Sequence, residues 1–149
     1  MKRFSLTMLA IVVVCGLLFS ACSSSTKEDS ETAELARAKN LPVGVWTSGI
    51  AYSGDRDSPQ RPQWFRFTAP ASVLYWHITN SSGSMSVYLH DSNGGFLERL
   101  EYSLGGGVLP WGGTFVVTSG QVYYIEVSES LGTAFFNLAI TTSETPPPR

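Results

Sequence analysis

The 149-residue chain has few of the groups that enzyme chemistry is built from. It has two histidines, His77 and His90, and two cysteines, Cys15 and Cys22. Both cysteines precede residue 23, so no disulfide can staple the rest of the chain to itself. A fold there must rest on a hydrophobic core, which roughly one hundred residues can supply unaided. The chain has no Gly-x-Ser-x-Gly elbow, no His-Glu-x-x-His, no P-loop and no dinucleotide fingerprint. Basic residues are scarce: without Lys2 and Arg3, eight of the ten remain against twelve acidic ones, a net charge of −4. No basic cluster exists, which makes nucleic acid and anionic membrane surfaces poor candidates as electrostatic partners. The apolar run from Leu6 to Phe19, about fourteen residues, falls short of the ~20 that span a bilayer.

That run is a targeting segment. Lys2 and Arg3 precede it, and it closes with Leu18-Phe19-Ser20-Ala21-Cys22. The closing residues resemble the lipobox of bacterial lipoproteins. Ser20, Ala21 and Cys22 fit that pattern, and Phe19 stands where an aliphatic residue is usual. The resemblance implies a signal peptide over 1–21, a diacylglyceryl thioether on Cys22, an acyl chain on its amine, and membrane attachment through that lipid. Each buried methylene is worth ~0.8 kcal/mol, and more than one chain anchors stably. Ser23 in place of Asp goes with an outer-membrane or cell-surface location in the bacterial envelope. The competing reading is an ordinary secretory signal cut after Ala21. Residues 22–42 read as a polar tether that cannot bury a core, with helix-forming composition over 31–39. Residues 143–149, with three consecutive prolines, read as a disordered, extended tail.

Between tether and tail the apolar residues alternate. Gly120 to Val127 reads as a buried strand launched from a Ser119-Gly120 turn, with Tyr123, Ile125 and Val127 on the core face and Val122, Tyr124 and Glu126 opposite. Further strands are expected at 43–52, 63–68 (Phe65 and Phe67 inward, Trp64 and Arg66 outward), 72–79 (Leu74, Trp76 and Ile78 inward), 85–91 (Val87 and Leu89 inward), 96–103, 114–118 and 134–141 (Phe136, Leu138 and Ile140 inward). Asn93-Gly94 marks a hairpin, and Gly105-Gly106-Gly107 a bend. About eight short strands without intervening helices predict a single all-β domain, an antiparallel β-sandwich, with a closed barrel as the alternative.

Four segments add a family resemblance. Gln63-Trp-Phe-Arg-Phe-Thr-Ala-Pro-Ala71, Val87-Tyr-Leu-His-Asp-Ser-Asn-Gly94, Gly120-Gln-Val-Tyr-Tyr-Ile-Glu-Val127 and Phe136-Asn-Leu138 resemble, in order and spacing, the motifs of bacterial pre-peptidase C-terminal (PPC) domains. The match covers residues 43–142. It implies a jelly-roll-like sandwich that is non-catalytic and accompanies exported proteins. Some related modules bind extracellular polymers and calcium.

Candidate site residues are few. Tyr75, His77, Tyr88, His90 and Tyr124 alternate onto faces opposite the core, where flat rings can stack on sugars or meet a protein partner. His77 and His90 are expected to be exposed polar positions; a two-histidine metal site would need further ligands. Asp55 and Asp57 are closely spaced oxygen donors for calcium, although Arg56 and Arg61 favour an ion-paired loop. Glu98 and Glu101 fall on opposite faces of a strand, against a paired-carboxylate site. The expectation is a non-catalytic, membrane-anchored envelope lipoprotein that binds a protein or glycan and needs no cofactor. An accessory subunit of an envelope complex is the alternative, and a hydrolase a more remote one.

Overall fold

The computed structural model describes residues 33–54, 60–80, 84–102, 111–130 and 132–149, which fall in one compact unit, Thr32–Arg149. The leader, Cys22, Asp55 and Asp57 lie outside the described residues. Among the described residues no helix is long and apolar enough to cross a membrane.

Among the described residues nine strands form two sheets. They are β1 (Lys39–Asn40), β2 (Thr47–Tyr52), β3 (Gln63–Thr68), β4 (Val73–Asn80), β5 (Met85–His90), β6 (Phe96–Tyr102), β7 (Trp111–Val116), β8 (Val122–Glu129) and β9 (Thr133–Thr141). One sheet runs β1-β3-β8-β5-β6 and the other β2-β9-β4-β7. The chain crosses repeatedly between them, as in a jelly roll. All named strand pairs are antiparallel except β1 with β3. The expected all-β sandwich is therefore present, and the barrel alternative is not.

The core lies between the sheets and follows the alternation. Phe65, Ile125 and Val127 from one sheet, and Leu74, Leu138 and Ile140 from the other, are fully buried. Two edge-to-face phenylalanine pairs cross the interface: Phe65–Phe136 and Phe67–Phe115, each with ring centroids 5.9 Å apart. Such a pair is worth ~0.5–1.5 kcal/mol beyond the area it buries. Tyr123 stacks on Phe67 within its own sheet, and its phenol oxygen accepts the Thr118 amide at 2.9 Å. The one polar atom of that buried ring is thereby satisfied.

Most strand ends shift by three residues or fewer, as at β7, which starts at Trp111 rather than 114, and two differences are larger. The first long strand begins at Thr47, because Val43 and Gly44 are engaged elsewhere: Val43 makes an isolated parallel bridge to Ile140. The second difference lies within the polar tether, where residues 33–36 form a helical turn and β1 pairs with Phe65 and Arg66. Leu41 then plugs the core at 2% exposure. The folded unit thus begins before residue 43.

Replacing Ile125 with Ala should cost about 2–5 kcal/mol through the cavity it leaves. Tyr124→Ala, on the opposite face of β8, should cost clearly less. Denaturant melts check this order, and the reverse order would contradict the strand phase.

Candidate functional site

Register turns the outward residues of the five-stranded sheet into a platform. One row across four strands reads Arg66, Tyr124, His90, Phe96, and the next reads Trp64, Glu126, Tyr88, Arg99. The β5–β6 hairpin fixes the middle of it. Asp91 accepts the Asn93 and Gly95 amides through its carboxylate, and Gly94 takes φ +88°. Asn93 stays at negative φ, so this is a three-residue loop closed by a left-handed glycine rather than a two-residue primed turn. The Gly94 carbonyl thereby lies 2.8 Å from His90 Nδ1.

His90 Nε2 sits 3.0 Å from the Glu126 carboxylate. The Trp64 ring lies 4.7 Å from the imidazole, and its indole N–H donates to Glu34 on the helical turn at 3.0 Å. His90 is only 6% exposed, a correction to the exposed position expected from alternation. Trp64 and Phe96 cover it, the latter at 6.1 Å. Phe96 is itself 63% exposed and packs edge-on to Tyr88, over which the Arg99 guanidinium lies at 5.9 Å. Tyr88 and Tyr124 are half-buried, and diagonal neighbours across β5 and β8.

The other two candidates, Tyr75 and His77, lie on β4 in the opposite sheet. The five rings therefore form two groups on opposite outer faces, and His77 and His90 cannot share a metal. Among the described residues no group of three or more His, Cys, Asp or Glu could hold a metal ion. His77 too is buried, at 6% exposure, again contrary to the expected exposed position. Trp46 meets it edge-on at 6.5 Å, and Thr141 Oγ1 lies 2.9 Å from Nε2. The Thr141 hydroxyl gives its single proton to the Ser143 carbonyl, so it accepts from His77 Nε2. On the other side of the ring only glycine fits: a Cβ on Gly112 would sit 2.6 Å from the Trp76 carbonyl oxygen and 3.1 Å from His77 Nδ1.

Pattern reading missed several participants. Trp46 lies inside the strand expected at 43–52, a stretch whose faces the glycines at 44 and 49 leave unassigned; it shares the outward phase of Ser48 and Ile50, just ahead of β2. Phe96 and Arg99 follow the hairpin, where register could not be read. Glu129, 1% exposed, accepts the Ser84 and Ser130 amides on Oε1, each at 2.9 Å, and ties two loops together.

The fold defines a class, the all-β sandwich. No protein-family profile matches the chain, and no curated protein is a detectable relative. Among solved structures, the chain is similar to the pre-peptidase C-terminal domain of collagenase from Bacillus anthracis, with 18% identity, a TM-score of 0.50, and coverage of 69% of this chain and 93% of that one. Weaker likenesses are to PliG, a periplasmic inhibitor of g-type lysozyme from Aeromonas hydrophila (15% identity, TM-score 0.44, covering 69% and 95%), and to the CBM22-1 xylan-binding domain of Xyn10C from Paenibacillus barcinonensis (9%, 0.38, covering 69% and 96%). The likeness to the collagenase domain is one of fold.

Burial holds the His77 pKa below the ordinary 6.5, against a smaller opposing pull from the Ser143 carbonyl. The unfolded chain therefore binds more protons than the folded one as pH drops below about 6.5. Stability from the neutral ring is complete above that value and is lost as pH falls toward the lowered folded pKa. Urea midpoints at about pH 7.5 and about pH 5 should fall further for the unaltered protein than for His77→Gln. Equal falls would contradict this.

Proposed function

We propose that the chain is a lipid-anchored, non-catalytic binding module of the bacterial cell envelope, whose five-stranded sheet presents its outer face to a protein or glycan partner. The observation that carries this reading is Phe96, 63% exposed yet held on a strand between His90 and Tyr88. An apolar ring left in water on the sheet, with Tyr88 beside it, Tyr124 two strands along the same row, and Arg66, Arg99 and Glu126 elsewhere on the face, has the composition of a recognition surface: aromatic residues among polar ones. The rings offer faces to a sugar or a side chain, and the charged rim offers donors and acceptors. Both histidines are engaged in structural contacts, which supports a binding role over general acid–base chemistry. Anchoring rests on the lipobox-like residues ending at Cys22, with the outer membrane or cell surface as the proposed location.

Two outcomes are expected. In cells fed labelled palmitate, label should enter the protein and disappear in Cys22→Ser, which should be released from membranes or left uncleaved. Label persisting in that variant would contradict the anchor. For the binding face, glycan and envelope-protein arrays should return a ligand whose affinity drops about tenfold or more in a Tyr88→Ala, Phe96→Ala, Tyr124→Ala variant that keeps its circular dichroism spectrum. Unchanged affinity would remove the five-stranded face from consideration.

A further inference from the structure

We infer that the outer face of the four-stranded sheet is a groove for a proline-rich extended peptide, and that residues 143–149 occupy it in cis. A run of prolines sets the chemistry of any surface that binds it. Pro146, Pro147 and Pro148 each fix φ near −65° and disfavour helix in the residue before them, so the run is an extended left-handed polyproline helix. It carries carbonyl acceptors and no N–H donors. Whatever binds it must supply a donor beside a flat apolar surface, and an indole does both.

Trp46 meets that requirement here. Its Nε1 donates to the Pro147 carbonyl at 2.9 Å, across 101 positions of sequence. The ring is held from below by His77, which is fixed in turn by Thr141. The segment leaves β9 where the Thr141 hydroxyl bonds the Ser143 carbonyl. It then runs along the sheet, with a cleft on each flank. Glu144 and Pro146 wall a cleft of about 280 Å³ with Tyr75, His77 and Gly112. Farther along, Pro148 and Arg149 wall one of about 560 Å³ with Val45, Trp46, Thr79 and Asn137.

Two features make the occupant displaceable. The clefts show that it leaves space in the groove for a bulkier segment. Residues 142–145, which lead into the prolines, are exposed. A short tether holds its ligand at an effective concentration of ~mM, so a segment that binds weakly as a free peptide still closes over the groove in cis. The partner is thus a proline-rich extended segment of another polypeptide, competing with the protein's own.

The test uses the full chain in detergent micelles and a synthetic peptide of residues 143–149. A chain carrying Pro146→Gly, Pro147→Gly and Pro148→Gly should release the groove and bind the peptide at least tenfold more tightly than the unaltered chain. Adding Trp46→Phe should abolish that gain, and a peptide with glycines for prolines should not bind. Equal binding by the unaltered and released chains, or equal binding of the glycine peptide, would overturn the proposal. The unaltered chain gives a readout independent of the released variant's folding. There the chain's own Ser143, Glu144 and Thr145 amide resonances should shift saturably toward their free-peptide values as the added peptide, rising past the ~mM effective concentration of the tethered segment, displaces it. No shift, or the same shift with the glycine peptide, would overturn the proposal. Saturation by the peptide with no response to a longer foreign proline-rich sequence would assign the groove to the protein's own segment and overturn the foreign partner.

Discussion

The structure depends on the dry layer between its two sheets. No disulfide can cross-link the chain beyond residue 22, so apolar burial has to offset the conformational entropy of ordering the domain. β8 is central to it, bonded on one side to β3 and on the other to β5, with Ile125 and Val127 fully buried beneath. Phe65 and Phe67 on β3 reach across to Phe136 and Phe115 and fix how the sheets lie on each other. Alternation then follows without choice. Every ring that is not in this layer must stand on an outer face.

The two outer faces meet that consequence in a related way. Each carries a tryptophan whose indole N–H is given to chain outside its sheet: Trp64 to the Glu34 carboxylate, Trp46 to the Pro147 carbonyl. Each tryptophan also packs against a histidine from the middle of the sheet. The imidazoles are buried as a result, although strand phase alone places them in water. The faces differ in what is left open. Phe96 remains exposed on one, while a proline-rich strap lies over the other.

Much of the fold was legible because short strands with one buried face write their phase into the sequence. Tyr123, Ile125 and Val127, or Leu74, Trp76 and Ile78, need no partner to be assigned inward. Which sheet a strand joins is a different question, since alternation carries no information about neighbours. Tyr75 and Tyr88 look equivalent in sequence and end on opposite faces of the molecule. β1 has two polar residues and no pattern of its own; its pairing follows from the burial of Leu41 beside it. β7 carries Gly112 and Gly113, poor strand formers, directly after its first residue, and the Trp76 carbonyl approaches too closely for any Cβ at 112. Burial of the histidines depends on segments distant in sequence, which no local pattern encodes.

Residue-resolved native-state hydrogen exchange tests the central claim most directly, namely that one dry interface organised by β8 holds both outer faces in place. The Ile125 and Val127 amides should exchange only through global unfolding, with the highest opening free energies in the domain, while amides of the edge strands β6 and β7 open at lower cost. Exchange of β8 amides through local opening, below the free energy of either edge strand, would contradict the account.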